Sequence, residues 1–227
     1  MTPAVCDPVE EMMTRYTRLG HPPLVPEITL RLASAITPVW EAVERDLGRE
    51  GTEPPFWAFC WAGGQALARW VLDHRDQIQG RRVLDLGCGG GVAAIAAARA
   101  AAAVVTANDI DPLALAMVVR NARLNRVQVE LLAGDLLDAP PRAPWDVILV
   151  GDLCYTATTA RRVIDWLRQR VGDGCRVLLG DPGRAYRPES GLDLVTSYRV
   201  PTTRELEDRT ERETAVWQVR ATNAGRP

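Results

Sequence analysis

From Arg82 onward, short apolar runs alternate with stretches whose apolar residues recur three and four apart, the patterns of strands and helices in turn. Strands are predicted over 82–86, 103–109, 128–133, 145–150 and 176–181, with helices over 91–100, 112–124 and 158–170. Such alternation is the signature of a parallel sheet covered on both faces. Asp111-Pro112 opens the second helix, with the aspartate as cap and the proline in the first turn. The connection from Gly134 to Pro144 holds three prolines, which should shorten or remove the crossover helix there. After Asp181 the alternation stops. Two late strands, Leu192 to Val200 and Ala215 to Arg220, flank a charged segment and can pair antiparallel at the sheet edge.

Ahead of this region, Val5, Val9, Met12, Met13, Tyr16 and Leu19 predict an amphipathic helix ended by Gly20-His21-Pro22-Pro23. His21, beside two prolines, reads as a turn residue rather than a base. A second helix is predicted from Thr37-Pro38, burying Val39 or Trp40, Val43 and Leu47 and closed by Gly48. A polar loop from Glu50 to Pro55 leads into Phe56-Trp57-Ala58-Phe59-Cys60-Trp61-Ala62-Gly63-Gly64-Gln65, then a helix through Ala66 to Leu72. The expected organisation is a helical cap and linker over 1–55, a main domain over 56–220 and a tail over 221–227. Both phenylalanines and two of the seven tryptophans fall within positions 56–61. Either a flat or apolar group binds there, or the rings pack the cap onto the main domain.

At 227 residues the chain suits one domain that buries a full core unaided. Its 47% hydrophobic and 25% charged residues suggest neither disorder nor a membrane class. The richest apolar run, 92–107, is mostly alanine and is broken by Arg99, so a spanning helix is not expected. The acidic N-terminus does not read as a signal peptide, and a cytoplasmic protein is expected. The five cysteines are odd in number and include no C-x-x-C pair, so neither a disulfide framework nor a metal site is expected. All 27 basic residues are arginine. A GC-rich genome explains this, as does protection of a lysine-modifying enzyme from itself. A net charge of -2 suggests no general attraction to nucleic acid.

The chemistry gathers where open parallel sheets bind ligands, beyond the carboxyl ends of the strands. Val83-Leu84-Asp85-Leu86-Gly87-Cys88-Gly89-Gly90-Gly91 ends a strand in an acid and then turns on alternating glycines. The dinucleotide fingerprint would need glycine at position 92, which is Val92. The pattern reads instead as an S-adenosylmethionine loop. Asp85 can accept from the cofactor's amino group or from loop amides, while Gly87 and Gly89, around Cys88, let the backbone approach. Asp109 lies 22 residues past Gly87, near the ~20-residue offset at which an acid takes ribose hydroxyls. Asp111 competes for that role but is already explained as a cap. Asp135 and Leu136 offer a carboxylate and an apolar wall for adenine, although Asp135 also reads as a turn aspartate. Gly151-Asp152-Leu153-Cys154-Tyr155 would face the methyl donor, with Cys154 a small buried residue rather than a thiolate nucleophile. Gly180-Asp181-Pro182-Gly183-Arg184 is a turn by composition, its acid a candidate for shaping the pocket mouth.

Together, the glycine loop, the acid on the second strand and Asp152-Leu153-Cys154-Tyr155 resemble class I methyltransferases, specifically the seven-strand protein-lysine methyltransferases with a D-x-x-Y or D-x-x-F motif. The 55–67 segment and Gly180-Asp181-Pro182-Gly183-Arg184 narrow the resemblance to the electron transfer flavoprotein beta-subunit lysine methyltransferases and their bacterial relatives. The resemblance implies a Rossmann-like α/β fold with a mostly parallel seven-stranded sheet, its last strand antiparallel beside the fifth. It implies S-adenosylmethionine bound by Trp61, Gly87 to Gly89, Asp109, Leu136 and Gly151, with Asp152 and Tyr155 shaping the target-lysine site beside Phe56 and Trp57. The implied partner is the flavoprotein beta subunit; a monomer is expected, with neither nucleic acid nor membrane as a partner. A sulfonium ~4 Å from an ammonium at effective dielectric near 20 repels it by about 4 kcal/mol, lowering the lysine pKa by roughly three units. No strong base is then required, and Asp152 would orient the amine by a hydrogen bond. A small-amine or ribosomal-protein methyltransferase and a non-catalytic cofactor-binding module remain as rivals.

Overall fold

The structure, a computed structural model, describes residues 8–48, 53–138 and 145–221. Its centre is a seven-stranded sheet. The parallel part comprises β3 (Arg82–Leu86), β4 (Val104–Asp109), β5 (Glu130–Ala133), β6 (Val147–Gly151) and β7 (Arg176–Asp181). β8 (Leu192–Pro201) and β9 (Glu211–Val219) complete it in the order β5-β4-β3-β6-β7-β9-β8, with β9 antiparallel to both neighbours. Helices α3 (Ala62–Asp73), α4 (Val92–Arg99), α5 (Pro112–Leu124) and α6 (Ala157–Gly172) cover it. Successive strand residues point to opposite faces. Val147, Leu149 and Leu178 therefore join the core under α3 and α4, while Ile148, Val150, Val177 and Leu179 join the core under α6. Burial on both faces is what makes these strands continuous apolar runs.

The N-terminal part holds α1 (Pro8–Tyr16), the hairpin of β1 (Arg18–Gly20) and β2 (Leu30–Leu32), and α2 (Ile36–Leu47). Met12, Met13, Val39, Ala42 and Val43 share a core with Trp57, Phe59 and the α5 residues Leu113, Ala114 and Met117. The hairpin corrects the expected helix through Leu19: α1 ends at Tyr16, and Leu19 is an exposed strand residue. Asn121, buried on α5, and the half-buried Asn125 at its C-cap hold β2 and the residue before it in place by accepting from the amides of Arg31 and Thr29. Asn121 also donates to the Gly90 carbonyl, which ties this part to the glycine loop. Helix α2 starts one residue before Thr37, from Ala35, so Pro38 stands in its first turn without a side-chain cap. Its buried stripe takes Val39 rather than Trp40, and Gly48 closes it at φ 63°. Val5, Glu50, the three prolines of the connection before Trp145 and the tail from Thr222 lie outside the described residues. The charged segment after β8 carries a short helix, α7 (Arg204–Glu207), and β9 begins at Glu211, earlier than expected. Among the described residues, no helix is long and apolar enough to cross a membrane.

Candidate active site

The strand order reverses at β3, which has β4 on one side and β6 on the other, and a crevice opens beyond their carboxyl ends. It forms a cleft of about 490 Å³, within the ~300–1,000 Å³ of small-molecule sites. Gly87, Gly89, Asp109, Asp135, Leu136 and Gly151 border the cleft, as do Phe56, Trp57, Trp61, Asp152 and Tyr155. Asp85 and Cys88 instead line an adjoining recess of about 60 Å³, which shares Trp61, Gly87, Gly89, Gly151 and Asp152 with the cleft. Gly87 has φ 66°, the left-handed conformation that favours glycine, and a Cβ there would press on the methyl groups of Leu153.

The three strand-end acids differ in what already holds them. Asp85 is buried and accepts from the Ala94 amide at 2.8 Å, capping the first turn of α4 that Gly91 leaves uncapped. Burial pushes its carboxyl up to about 7, with the nearby Asp109 adding to the rise. Asp109 accepts from the amides of Gly89 at 2.9 Å and Asp111 at 3.0 Å. Its burial raises the pKa, and those amides pull it back. Asp111 caps α5 through the Leu113 amide. Asp135 accepts from the Leu137 amide and pairs with Arg162, another residue of the cleft wall that the sequence reading missed.

Asp152 stands where the chain leaves β6, at φ 59°, a left-handed conformation uncommon outside glycine. Its Oδ2 accepts from the Gly64 amide at 3.1 Å, in the first turn of α3, where the helix dipole favours a negative charge. Its Oδ1 accepts from Arg184 at 2.8 Å. Burial pushes the Asp152 carboxyl up to about 6; Arg184 opposes that, and Glu207 and Asp181 reinforce it. The approach of α3 is possible only with glycines. A Cβ on Gly63 would collide with the Gly180 carbonyl and the Asp152 carboxylate.

Arg184, named in the sequence only as the end of a turn motif, and Glu207, not singled out at all, are brought to the site by the fold. The Asp181 acid does not shape the cleft mouth: it is buried, and its Oδ1 accepts from the amides of Gly183 and Arg184, so it builds the turn that projects Arg184. Arg184 borders the cleft, lies 5.7 Å from the Trp61 ring centre and grips Glu207 of α7. Glu207 is buried and also pairs with Arg212 of β9. The D-x-x-Y spacing and the Gly-Asp-Pro-Gly-Arg turn announced two ends of this cluster; nothing in the local pattern distinguished Glu207 from its charged neighbours.

Trp61 caps α3, and its Nε1 donates to the Phe56 carbonyl at 2.8 Å. The Phe56 ring sits 5.9 Å from Trp61 and 5.7 Å from Tyr155, centre to centre. Phe56 and Tyr155 are 38% and 44% exposed and, with Ile110 at 70%, give the cleft an apolar rim open to solvent. Trp57 is buried, packing the N-terminal core while also bordering the cleft, so the segment joins the N-terminal part to the main domain. Cys154 is fully buried, and burial pushes its thiol up to about 12, which leaves no thiolate near neutral pH.

Residues 66–172 match the family model described as ribosomal protein L11 methyltransferase (PrmA). The chain is 41% identical over 185 residues to the electron transfer flavoprotein beta subunit lysine methyltransferase of Xenopus laevis, covering 81% of this chain and 73% of that one. To the protein of the same name from Danio rerio it is 36% identical over 205 residues, covering 86% of this chain and 76% of that one. Among solved structures, it resembles magnesium protoporphyrin IX methyltransferase from Synechocystis with S-adenosylmethionine bound, at TM-score 0.50, 20% identity and coverage of 68% and 76%. The last likeness concerns the fold. The first two reach beyond the glycine loop over most of the chain, and by them the chain belongs to the electron transfer flavoprotein beta subunit lysine methyltransferase family.

Proposed function

We propose that this methyltransferase transfers a methyl group from S-adenosylmethionine to lysine side chains of the electron transfer flavoprotein beta subunit. The observation that carries the protein substrate is the open apolar rim of Phe56, Ile110 and Tyr155 on a cleft that Asp109, Asp135 and Asp152 also border. A side chain of a macromolecule can enter such a site while the rest of its surface rests on the rim.

The residues present fit the cofactor. Gly87 and Gly89 expose backbone beside the cleft, Asp109 and Asp135 offer acceptors on neighbouring strand ends, and Leu136 and Ile110 supply apolar walls. When bound, S-adenosylmethionine supplies an electrophilic methyl group on a sulfonium, whose charge favours a neutral amine. Asp109 would hold the ribose hydroxyls, and Asp135 with Leu136 the adenine. Asp85 would meet the amino group from the recess, beside Cys88, with Trp61 and Gly151 closing the inner wall. Asp152 would orient the lysine amine through the acceptor capacity that Arg184 and Gly64 leave free. Phe56, Trp57 and Tyr155 would line the channel for the aliphatic stem.

The reading includes a cytoplasmic monomer, in keeping with the unpaired thiols of Cys60, Cys88, Cys154 and Cys175. The L11-type match spans the cofactor-binding half of the domain and leaves the aromatic segment out. The deciding test therefore offers purified flavoprotein, ribosomal protein L11 and free amines in parallel with labelled S-adenosylmethionine. Label on a beta-subunit lysine is expected. Label on L11 or a free amine alone would overturn the proposal.

A further inference from the structure

Arg184 faces two carboxylates, and it does not treat them alike. Its fork is turned to Glu207, with NH1 donating to Oε2 at 3.0 Å and NH2 to Oε1 at 2.7 Å. Asp152 receives a single bond from NH2 at 2.8 Å. The bidentate arrangement is the stronger and more directional one. The Arg184 backbone amide is fixed by donating to Asp181, its guanidinium lies over the Trp61 ring, and Glu207 is itself anchored by Arg212. Four elements converge here: α3, the turn after β7, α7 and β9.

We propose that Glu207 is a positioning residue of the methyl-transfer site: by taking the fork of Arg184 it holds the guanidinium off Asp152, leaving that carboxylate a free acceptor site for the target amine. The proposal rests on the reading that Asp152 meets the amine. Without Glu207, the nearest buried counter-charge for Arg184 is Asp152, and the guanidinium would turn its fork there and compete with the incoming lysine. Complete loss of Arg184 would do the opposite, leaving Asp152 held by the Gly64 amide alone. The groups facing Asp152 are Cys60 before α3, the Gly64 amide within it, Cys154 on its own loop, Asp181 and Arg184 after β7, and Glu207 on α7. Of these, only Arg184 carries positive charge.

The test follows the Asp152 carboxyl directly by carbon-13 NMR titration of the full-length protein without methyl acceptor, its signal assigned by loss in Asp152→Asn. Glu207→Gln should lower the pH at which Asp152 titrates by about one unit, and Arg184→Met should raise it. In methyl transfer to the flavoprotein beta subunit, Glu207→Gln should raise the acceptor KM by about tenfold, with the cofactor Kd kept within about twofold. Glu207→Asp keeps the charge but is too short to hold the fork, so its titration should move the same way and covers the case in which Glu207→Gln fails to fold. An unchanged titration in the Glu207 variants, or a shift in the same direction as Arg184→Met, would overturn the proposal. Wild-type turnover in Asp152→Asn alongside the expected shifts would sink the catalytic reading while leaving the clamp.

Discussion

Asp152 combines three features that rarely coincide: a left-handed backbone, a buried carboxylate and a cationic partner that is shared with a second acid. Its carboxyl is pushed up to about 6, so at neutral pH it carries its charge with little margin. Protonation removes the acceptor capacity that would orient the amine. The need for a neutral lysine amine already lowers kcat/KM about tenfold per pH unit on the acid side, so Asp152 should add a second break near pH 6, below which the fall steepens. In Asp152→Asn that second break should vanish, and turnover should drop by about 100-fold, the scale of a misplaced reacting group. A pH profile of labelled methyl transfer measures both, and a break near pH 6 that survives the substitution would assign it to another group.

The segment 55–64 is where an element rather than a residue makes the site. Phe56–Ala58 forms a short 3-10 turn, Trp61 caps α3, and glycines at 63 and 64 bring the helix start against β6 and β7. Gly63, Gly151 and Gly180 meet backbone to backbone, and a methyl group at Gly63 has no space to enter. Gly63→Ala should cost about 3 kcal/mol of stability through overpacking, read from the denaturant midpoint. It should also disturb Asp152, because the same Cβ would strike its carboxylate. At the outer end of the element, Phe56→Ala removes an exposed rim ring that touches Trp61 and Tyr155. We expect the acceptor KM to rise about tenfold, the upper range for an aromatic contact, with cofactor affinity nearly unchanged by calorimetry.

Across the whole molecule, folding places several acids in environments that disfavour their charge. Asp85 rises to about 7 and Asp152 to about 6, from 3.8 when unfolded. Between those values the folded state keeps protons that the unfolded chain has released, so stability falls as pH rises from about 4 to about 7. Asp146, held down to about 2 by Arg82, acts in the opposite sense, losing its contribution only as pH falls below 3.8. Asp85→Asn keeps an acceptor for the Ala94 amide but cannot titrate. Denaturation at pH 5 and pH 8 should show a smaller difference for this variant than for the wild type. An unaltered difference would show that Asp85 is not the group responsible.

Much of this protein is legible along the chain. Strands β3 and β7 and helix α5 fall where the apolar pattern places them, because a strand buried on both faces and a proline-led, aspartate-capped helix are local statements. The glycine turn and the acids at 85, 109, 135 and 152 are local as well, since a strand end followed by glycine can only bring backbone and carboxylate to one edge. The hairpin at 18–20 and 30–32 is not, because its strands are three residues long and are held by Asn121 and Asn125 from 90 or more positions away. Nor is the Asp152–Arg184–Glu207 cluster. Asp152 and Arg184 stand in recognisable local motifs and Glu207 does not, and the partnership of the three exists only once β7, β9 and α7 are brought beside the start of α3. Burial of charge, and with it the pKa values and the fork of Arg184, depends on which distant groups exclude water together, and a one-dimensional pattern does not carry that.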